Sequence, residues 1–481
     1  MTAHVSTAAG QRILDLCDDI ARVGGSGLEP AIAAVRASLE PPKLAVVGRV
    51  KAGKSTLVNA LIGAKVAPTN EAECTRIVTW YRYGIPNSAE LVMLDGSVRP
   101  IPFTTSLPED LGVPVEQVSH AVVYLQEAAL QDYILIDTPG LATTTTENEE
   151  ATRRAILGGE AARQADALIY VFKKVEKADD ISFIEAFTEA SGGFAGAAES
   201  VGVLSNADRF GTGAWGSVDP LEVAAEFARQ IAAKHADHLG AVIPIAARMG
   251  EAARTGEVRE SDAAALGQLA ALDDDDIQDL EDGILDVPGI DTAALARVVG
   301  MFRGYGLRHA RTIAHGGAPA LSRWLLERSG MTALEEALRS RYVGSHPQRS
   351  IANAVTALAR IARGSEQWRD LDELINTARL DPALHVIREL EARDRLSEHV
   401  PDSELIELLD TVMQQKTDRA KLELARSATE HDILAKAREL SALARARAAL
   451  AGSPEIVEAS RVIARSYLLI AERHADATPE G

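Results

Sequence analysis

Apolar residues recur at helical spacing over residues 8–39: Ile13, Leu16, Ile20 and Val23 before the Gly24-Gly25 break, then Ile32, Val35 and Leu39. Pro41-Pro42 ends that pattern. From 43 to about 250 the rhythm changes. Short apolar runs at 43–47, 76–83, 89–94, 120–124, 132–136, 167–172, 200–204 and 241–245 alternate with amphipathic stretches. Strands separated by helices predict an α/β domain, its mostly parallel sheet covered by helices on both faces. Residues 250–330 read as a mostly helical insertion before a last helix of that domain at 333–338.

Beyond residue 346 only helical periodicity remains. Leu405, Leu408, Leu409, Val412 and Met413 form an apolar stripe. Gly and Pro are absent from Asp402 to Leu450, which predicts one rod of about 70 Å. Gly452, Ser453 and Pro454 then stop one helix and start the next. Ile456, Ile463, Tyr467 and Ile470 line the returning arm. The expected organisation is an N-terminal helical part at 1–41, an α/β domain at 42–345 and a helical bundle at 346–481. The N-terminal helix is expected to join the C-terminal region in an elongated all-α stalk. The segment 364–402, with Trp368, Leu371, Leu374 and Ile375, is its expected tip, those four side chains reading as core.

Charge narrows the partners. The 481 residues carry a formal net charge of -20, which argues against nucleic acid. It also argues against simple adhesion to anionic lipid, although a local basic patch escapes that argument. The run Asp273–Asp276 lacks the glycine and spacing of a calcium loop and reads as a solvated loop. Two cysteines without metal spacing suit a reducing compartment. With no signal peptide and no transmembrane run expected, a cytoplasmic protein follows, with peripheral contact at the inner face of the plasma membrane open to it.

The chemistry concentrates in four places. Gly48-Arg49-Val50-Lys51-Ala52-Gly53-Lys54-Ser55 fits G-x-x-x-x-G-K-[ST] between an apolar strand and a helix that continues with Thr56. Its backbone N–H groups suit phosphate oxygens. Lys54 suits the β- and γ-phosphates, and Ser55 suits Mg²⁺. Next, Ile134–Gly140 ends an apolar strand in D-x-x-G. Asp137 is expected to hold Mg²⁺ and the Gly140 N–H to sense the γ-phosphate. Thr75, with Thr69 and Thr79 as alternatives, is expected to give Mg²⁺ its hydroxyl and the attacking water its carbonyl. Finally, Asn206 and Asp208, followed by Arg209, stand where a guanine reader belongs, and Asp208 favours GTP over ATP. Ala247 and Arg248 follow the last strand, where a second loop would touch the base. Leu141 stands where Ras-type enzymes carry a water-orienting glutamine. Lys51 is the candidate for the missing positive charge near the bridging oxygen.

These motifs resemble the dynamin family, specifically bacterial dynamin-like proteins, and within them the mycobacterial isoniazid-inducible dynamin-like proteins. The likeness rests on Gly48–Leu61, Thr75-Arg76 and Asp137–Gly140. It implies GTP hydrolysis with Mg²⁺, self-association through the GTPase domain, and a helical stalk that acts on membranes, alone or beside a paddle-bearing dynamin-like partner. The phosphate-loop serine and glutamine of classical dynamins are Lys51 and Val50 here, and Asn206 replaces the usual lysine. Two other readings compete: a soluble regulatory GTPase, and a weakly hydrolysing scaffold that docks through its helices.

Overall fold

The computed structural model describes residues 7–68, 77–139, 165–173, 178–190, 200–285, 287–344, 346–415 and 417–475. The chain divides into two compact units, residues 42–343 and residues 1–41 together with 344–481.

The first unit is built on a nine-stranded sheet. Its strands are β1 Lys43–Gly48, β2 Thr79–Tyr83, β3 Ser88–Met93, β4 Val98–Ile101, β5 Val118–Leu125, β6 Ile134–Asp137, β7 Ala167–Phe172, β8 Ser200–Ser205 and β9 Ala241–Ile245. Their order is β4-β3-β5-β2-β6-β1-β7-β8-β9. From β6 to β9 every pairing is parallel, as is β2 with β5. The pairings β2–β6, β3–β5 and β3–β4 are antiparallel. Every residue of β7 and β8 is buried, as expected of parallel strands covered on both faces. Alternate residues of β1 feed opposite cores. Leu44 and Val46 pack with Leu57, Ile169 and Leu334. Ala45 and Val47 pack with Ile136, Phe172 and Phe187. The edge strand β4 was not expected, because Pro100 interrupts its short run. Proline is tolerated there since an edge strand leaves one side unpaired.

The region 250–330 is helical, as expected. It has its own core, centred on Leu266, Ile277, Val298, Phe302 and Leu325. The acidic run is not a loop. Asp273 caps the helix Asp274–Glu281 by accepting from the Asp276 N–H at 2.9 Å. Asp274 pairs with Arg308 and Arg311. Carboxylates at a helix N-terminus are favoured by its exposed N–H groups and dipole. Among the described residues no acidic or histidine cluster suits a metal ion.

Among the described residues the regular elements of the second unit are all helices, and it holds two cores. In one, the helix Ala8–Gly24 sets Ile13, Leu16 and Ile20 against Leu358, Leu371 and Ile375 of the helices His346–Arg363 and Trp368–Arg379. In the other, Leu396, Leu409 and Ile433 meet Ile463, Tyr467 and Ile470. The N-terminal helix therefore packs on the earlier helices of the bundle, not on the final hairpin. Leu371 and Ile375 are core, while Trp368 lies exposed beneath the Arg369 guanidinium.

The predicted rod is broken. Helices span Leu405–Gln414, Asp418–Lys421 and Glu430–Leu450, and the last pairs with Pro454–Ala475. Thr417 caps the short helix through the Ala420 N–H. Glu423 has a left-handed φ of 56°. Thr429 and Asp432 form a capping box that restarts the chain. The box was visible as T-x-x-D; the absence of Gly and Pro hid it. The longest straight arms are therefore about 32 Å, not 70 Å.

Candidate functional site

The carboxyl ends of the parallel strands β1, β6 and β8 lie on one edge of the sheet, where α/β folds bind ligands. β1 delivers the glycine loop, β6 delivers Asp137 and β8 delivers Asn206 and Asp208.

Gly48 opens the loop. A Cβ there would meet the Val171 carbonyl oxygen at 2.5 Å, so only glycine fits against β7. Lys51 and Gly53 take left-handed φ values of 59° and 96°, folding the chain back over the start of the helix Lys54–Ile62. Ala52 is buried, with its N–H on the Arg49 carbonyl at 3.1 Å. Val50, Ser55 and Thr56 are half-buried, and Lys51 is exposed. The loop thus presents the amides of a helix N-terminus to an anion.

Lys54 is only 8% exposed, and its Nζ donates to the Arg49 carbonyl at 3.0 Å. Burial lowers its pKa, and Asp137 opposes that shift. Burial pushes the Asp137 carboxyl up to about 6, while Lys54 and the Thr138 N–H pull it down. Asp137 Oδ1 is shut from solvent with no hydrogen-bond partner. A buried, unpartnered carboxylate oxygen is costly, and a bound cation would satisfy it. Ser55, the first residue after Lys54, would supply a hydroxyl to a Mg²⁺ ion held by Asp137. The donor set therefore fits Mg²⁺.

Arg49 is clamped sideways. Its Nε donates to Asp180 Oδ1 at 2.9 Å, and the Tyr170 hydroxyl donates to the same oxygen at 2.7 Å. Nothing in the sequence pointed to Asp180, which is brought in by a helix far along the chain.

On β8, Asn206 has a left-handed φ of 56°, and its Nδ2 donates to Ser205 Oγ at 3.1 Å. Asp208 follows on a single 3-10 turn, with Arg209 Nε 4.0 Å from its Oδ2. Burial raises the Asp208 carboxyl above the usual range. Its own backbone N–H, Arg209 and Arg303 work in the other direction, and Glu281 adds to the rise. Arg303 and Glu281 also escaped the sequence reading. The helix Thr292–Ala310 is broken at Arg303, where φ is 50° and ψ -173°. The next N–H, of Gly304, donates to Glu281 Oε1 at 2.8 Å. Arg308 anchors this helix to the Ala214 and Gly216 carbonyls at 2.6 and 3.0 Å. The only sequence signal was the glycine set Gly300, Gly304 and Gly306.

One predicted contact is redirected. Ala247 begins the helix Ala247–Arg254. The Arg248 guanidinium, expected beside the base, is held by Glu251 at 2.6 Å and by Glu257 at 2.9 and 3.0 Å. Glu251 also accepts from Asn59 Nδ2 at 2.8 Å. Arg248 thereby joins the packing of its helix on Lys54–Ile62. Thr79 lies buried in β2 opposite Asp137. Thr75, Thr69, Gly140 and Leu141 lie outside the described residues.

Comparison with known proteins agrees with the motif set. Residues 44–186 match the dynamin family. The isoniazid-induced protein IniC of Mycobacterium tuberculosis is 32% identical over 245 residues, covering 49% of this chain and 47% of that protein. A bacterial dynamin-like protein of Nostoc punctiforme is 32% identical over 122 residues, 22% of this chain and 18% of that one. The match to IniC thus spans about half the relative's length. A solved structure of an oligomerised bacterial dynamin pair aligns with 97% of this chain and 90% of its own at 12% identity. Its TM-score of 0.31 is too low to bear on function.

Proposed function

From the dynamin-family domain that residues 44–186 carry, and its likeness to bacterial dynamin-like proteins, we propose that this chain binds and hydrolyses GTP with Mg²⁺. The observation that carries the reading is the buried Lys54 acting on Asp137, whose Oδ1 has no partner, at the amide-lined start of a helix. Phosphoryl transfer needs little covalent help from protein; positioning and charge neutralisation supply most of the rate. The loop amides of residues 48–55 hold the phosphates, and Lys54 places a cation against the β- and γ-oxygens. Ser55 and Asp137 would hold Mg²⁺, with Thr75 as a third contributor. The ion would neutralise the charge that builds on the phosphates.

Asp208 accepts from the guanine N1–H and exocyclic amine, a donor pair that adenine lacks. Asn206 and Arg209 flank it. Lys51, exposed at the crest of the loop, supplies the charge that an Arg finger supplies elsewhere. The Gly140 N–H senses the γ-phosphate. In this reading, nucleotide-dependent association of the GTPase units drives the helical unit in membrane remodelling or maintenance.

Steady-state turnover with saturating Mg²⁺-GTP tests the proposal. Wild type is expected to turn over, and Lys54→Ala to fall at least about 100-fold. Turnover that survives Lys54→Ala overturns the site. Turnover and sedimentation unchanged by liposomes would remove the membrane role and leave a soluble regulatory GTPase.

A further inference from the structure

The carboxyl end of β8 gains a side chain from far along the chain. The helix Thr292–Ala310 breaks at Arg303, whose φ of 50° lies where glycine belongs. Other residues keep such a conformation only where the surroundings impose it, and these cases gather at ligand sites. Here the surroundings include the segment that follows Asp208. A Cβ on Gly304 would stand 3.0 Å from Ala214 Cβ and 3.3 Å from Trp215 Nε1. The Gly304 N–H is held by Glu281, and Arg308 holds the Ala214 and Gly216 carbonyls. Arg303 is thereby fixed beside the segment that Asp208 opens. Its charge is near enough to oppose the rise that burial gives the Asp208 carboxyl.

The other arginines of this stretch are occupied. Asp262 pairs with Arg297, and Asp274 pairs with Arg308 and Arg311. Arg303 is exposed and has no ion pair among the described residues. The carboxylates that share its neighbourhood are Asp208 and Glu281, and Glu281 Oε1 already accepts from Gly304.

Guanine offers two polar edges. Asp208 suits the donors, N1–H and the exocyclic amine. Beside them lie two acceptors, O6 and N7, and adenine carries an amine in place of O6. The side chains expected to help with the base are engaged elsewhere: Arg248 with Glu251 and Glu257, and Asn206 Nδ2 with Ser205 Oγ. A guanidinium fork matches O6 and N7 together. Resting on the reading of Asp208 as the guanine reader, we propose that Arg303 is a specificity-determining residue of the nucleotide site, donating through its guanidinium to the guanine O6 and N7. Adenine would set its amine against the same guanidinium, donor against donor.

Calorimetric titration of the full chain with Mg²⁺ and GDP, 7-deaza-GDP, inosine diphosphate or ADP tests this. GDP avoids turnover, 7-deaza-GDP lacks the N7 acceptor, and inosine diphosphate lacks the exocyclic amine. Wild type is expected to bind GDP more tightly than the other three. Arg303→Gly suits the backbone at that position and should weaken GDP binding by roughly 10- to 100-fold. It should also abolish the preference for GDP over 7-deaza-GDP and keep the preference over inosine diphosphate, a pattern that general loss of structure would not give. Asp208→Ala should abolish the preference over inosine diphosphate. A wild type that binds 7-deaza-GDP as well as GDP, or an Arg303→Gly variant that keeps the difference, overturns the role of Arg303 and leaves that of Asp208 standing. A wild type without preference for GDP over ADP overturns both.

Discussion

At the scale of single residues, the site is a set of charges held in place by burial. Asp180 shows how strict that holding is. One of its oxygens serves both Arg49 and the Tyr170 hydroxyl, and its side chain is 5% exposed. Asp180→Ala removes the buried acceptor that Arg49 and the Tyr170 hydroxyl share and is expected to cost about 3 kcal/mol in a urea melt. Tyr170→Phe removes the hydroxyl's bond to Asp180, keeps the Arg49–Asp180 pair and should cost about 1 kcal/mol. Lys51 makes a different demand: its side chain is exposed at the crest of the phosphate loop, where the proposed mechanism uses its charge. Lys51→Ala should lower turnover at saturating GTP. Full turnover in that variant removes Lys51 from catalysis. The loop letters were legible because phosphate is gripped by consecutive backbone amides, which leave a contiguous signature. Asp180 and Arg303 were not, because each acts through a tertiary contact that leaves no local pattern.

At the scale of elements, two devices stand out. Arg303 holds a backbone conformation that is almost exclusive to glycine, inside a helix whose neighbours Gly300 and Gly304 would fit it better. Arg303→Gly is expected to raise the melting midpoint, a gain of about 1 kcal/mol, while altering the charge next to Asp208. An unchanged or lower midpoint would mean that the arginine side chain offsets the strain.

The second device closes the final hairpin. His474 meets Glu430 through Nδ1 and Asp418 through Nε2, the latter at 2.9 Å. Burial alone would lower the imidazole pKa, but Asp418 and Glu430 outweigh it and hold it above 6.5. A raised histidine pKa stabilises the fold fully below about 6.5 and ceases to do so as pH rises through the folded value. Thermal melts of the helical unit should thus fall in midpoint across that window, and His474→Gln should flatten the fall. Helix starts and stops at 417–430 depended on threonine caps, which compete poorly for notice against an unbroken run free of Gly and Pro.

At the scale of the whole molecule, the two units have separate cores. Calorimetry is expected to show two transitions. Mg²⁺-GTP at a hundredfold over its Kd should raise the one belonging to residues 42–343 by about 2.7 kcal/mol. Ile20→Ala, which empties part of the core beneath the N-terminal helix, should lower the other by about 2–5 kcal/mol. If each perturbation moves both transitions equally, the units are one cooperative body.

The sequence by itself determined the strand–loop–helix at 43–62, the mostly parallel sheet and the helical character of the described elements after 346. Each is set by local periodicity or by contiguous backbone chemistry. Only the tertiary structure decided that the rod is broken and that Arg248 belongs to Glu251 and Glu257. Long-range packing chooses among partners that a linear pattern leaves equivalent.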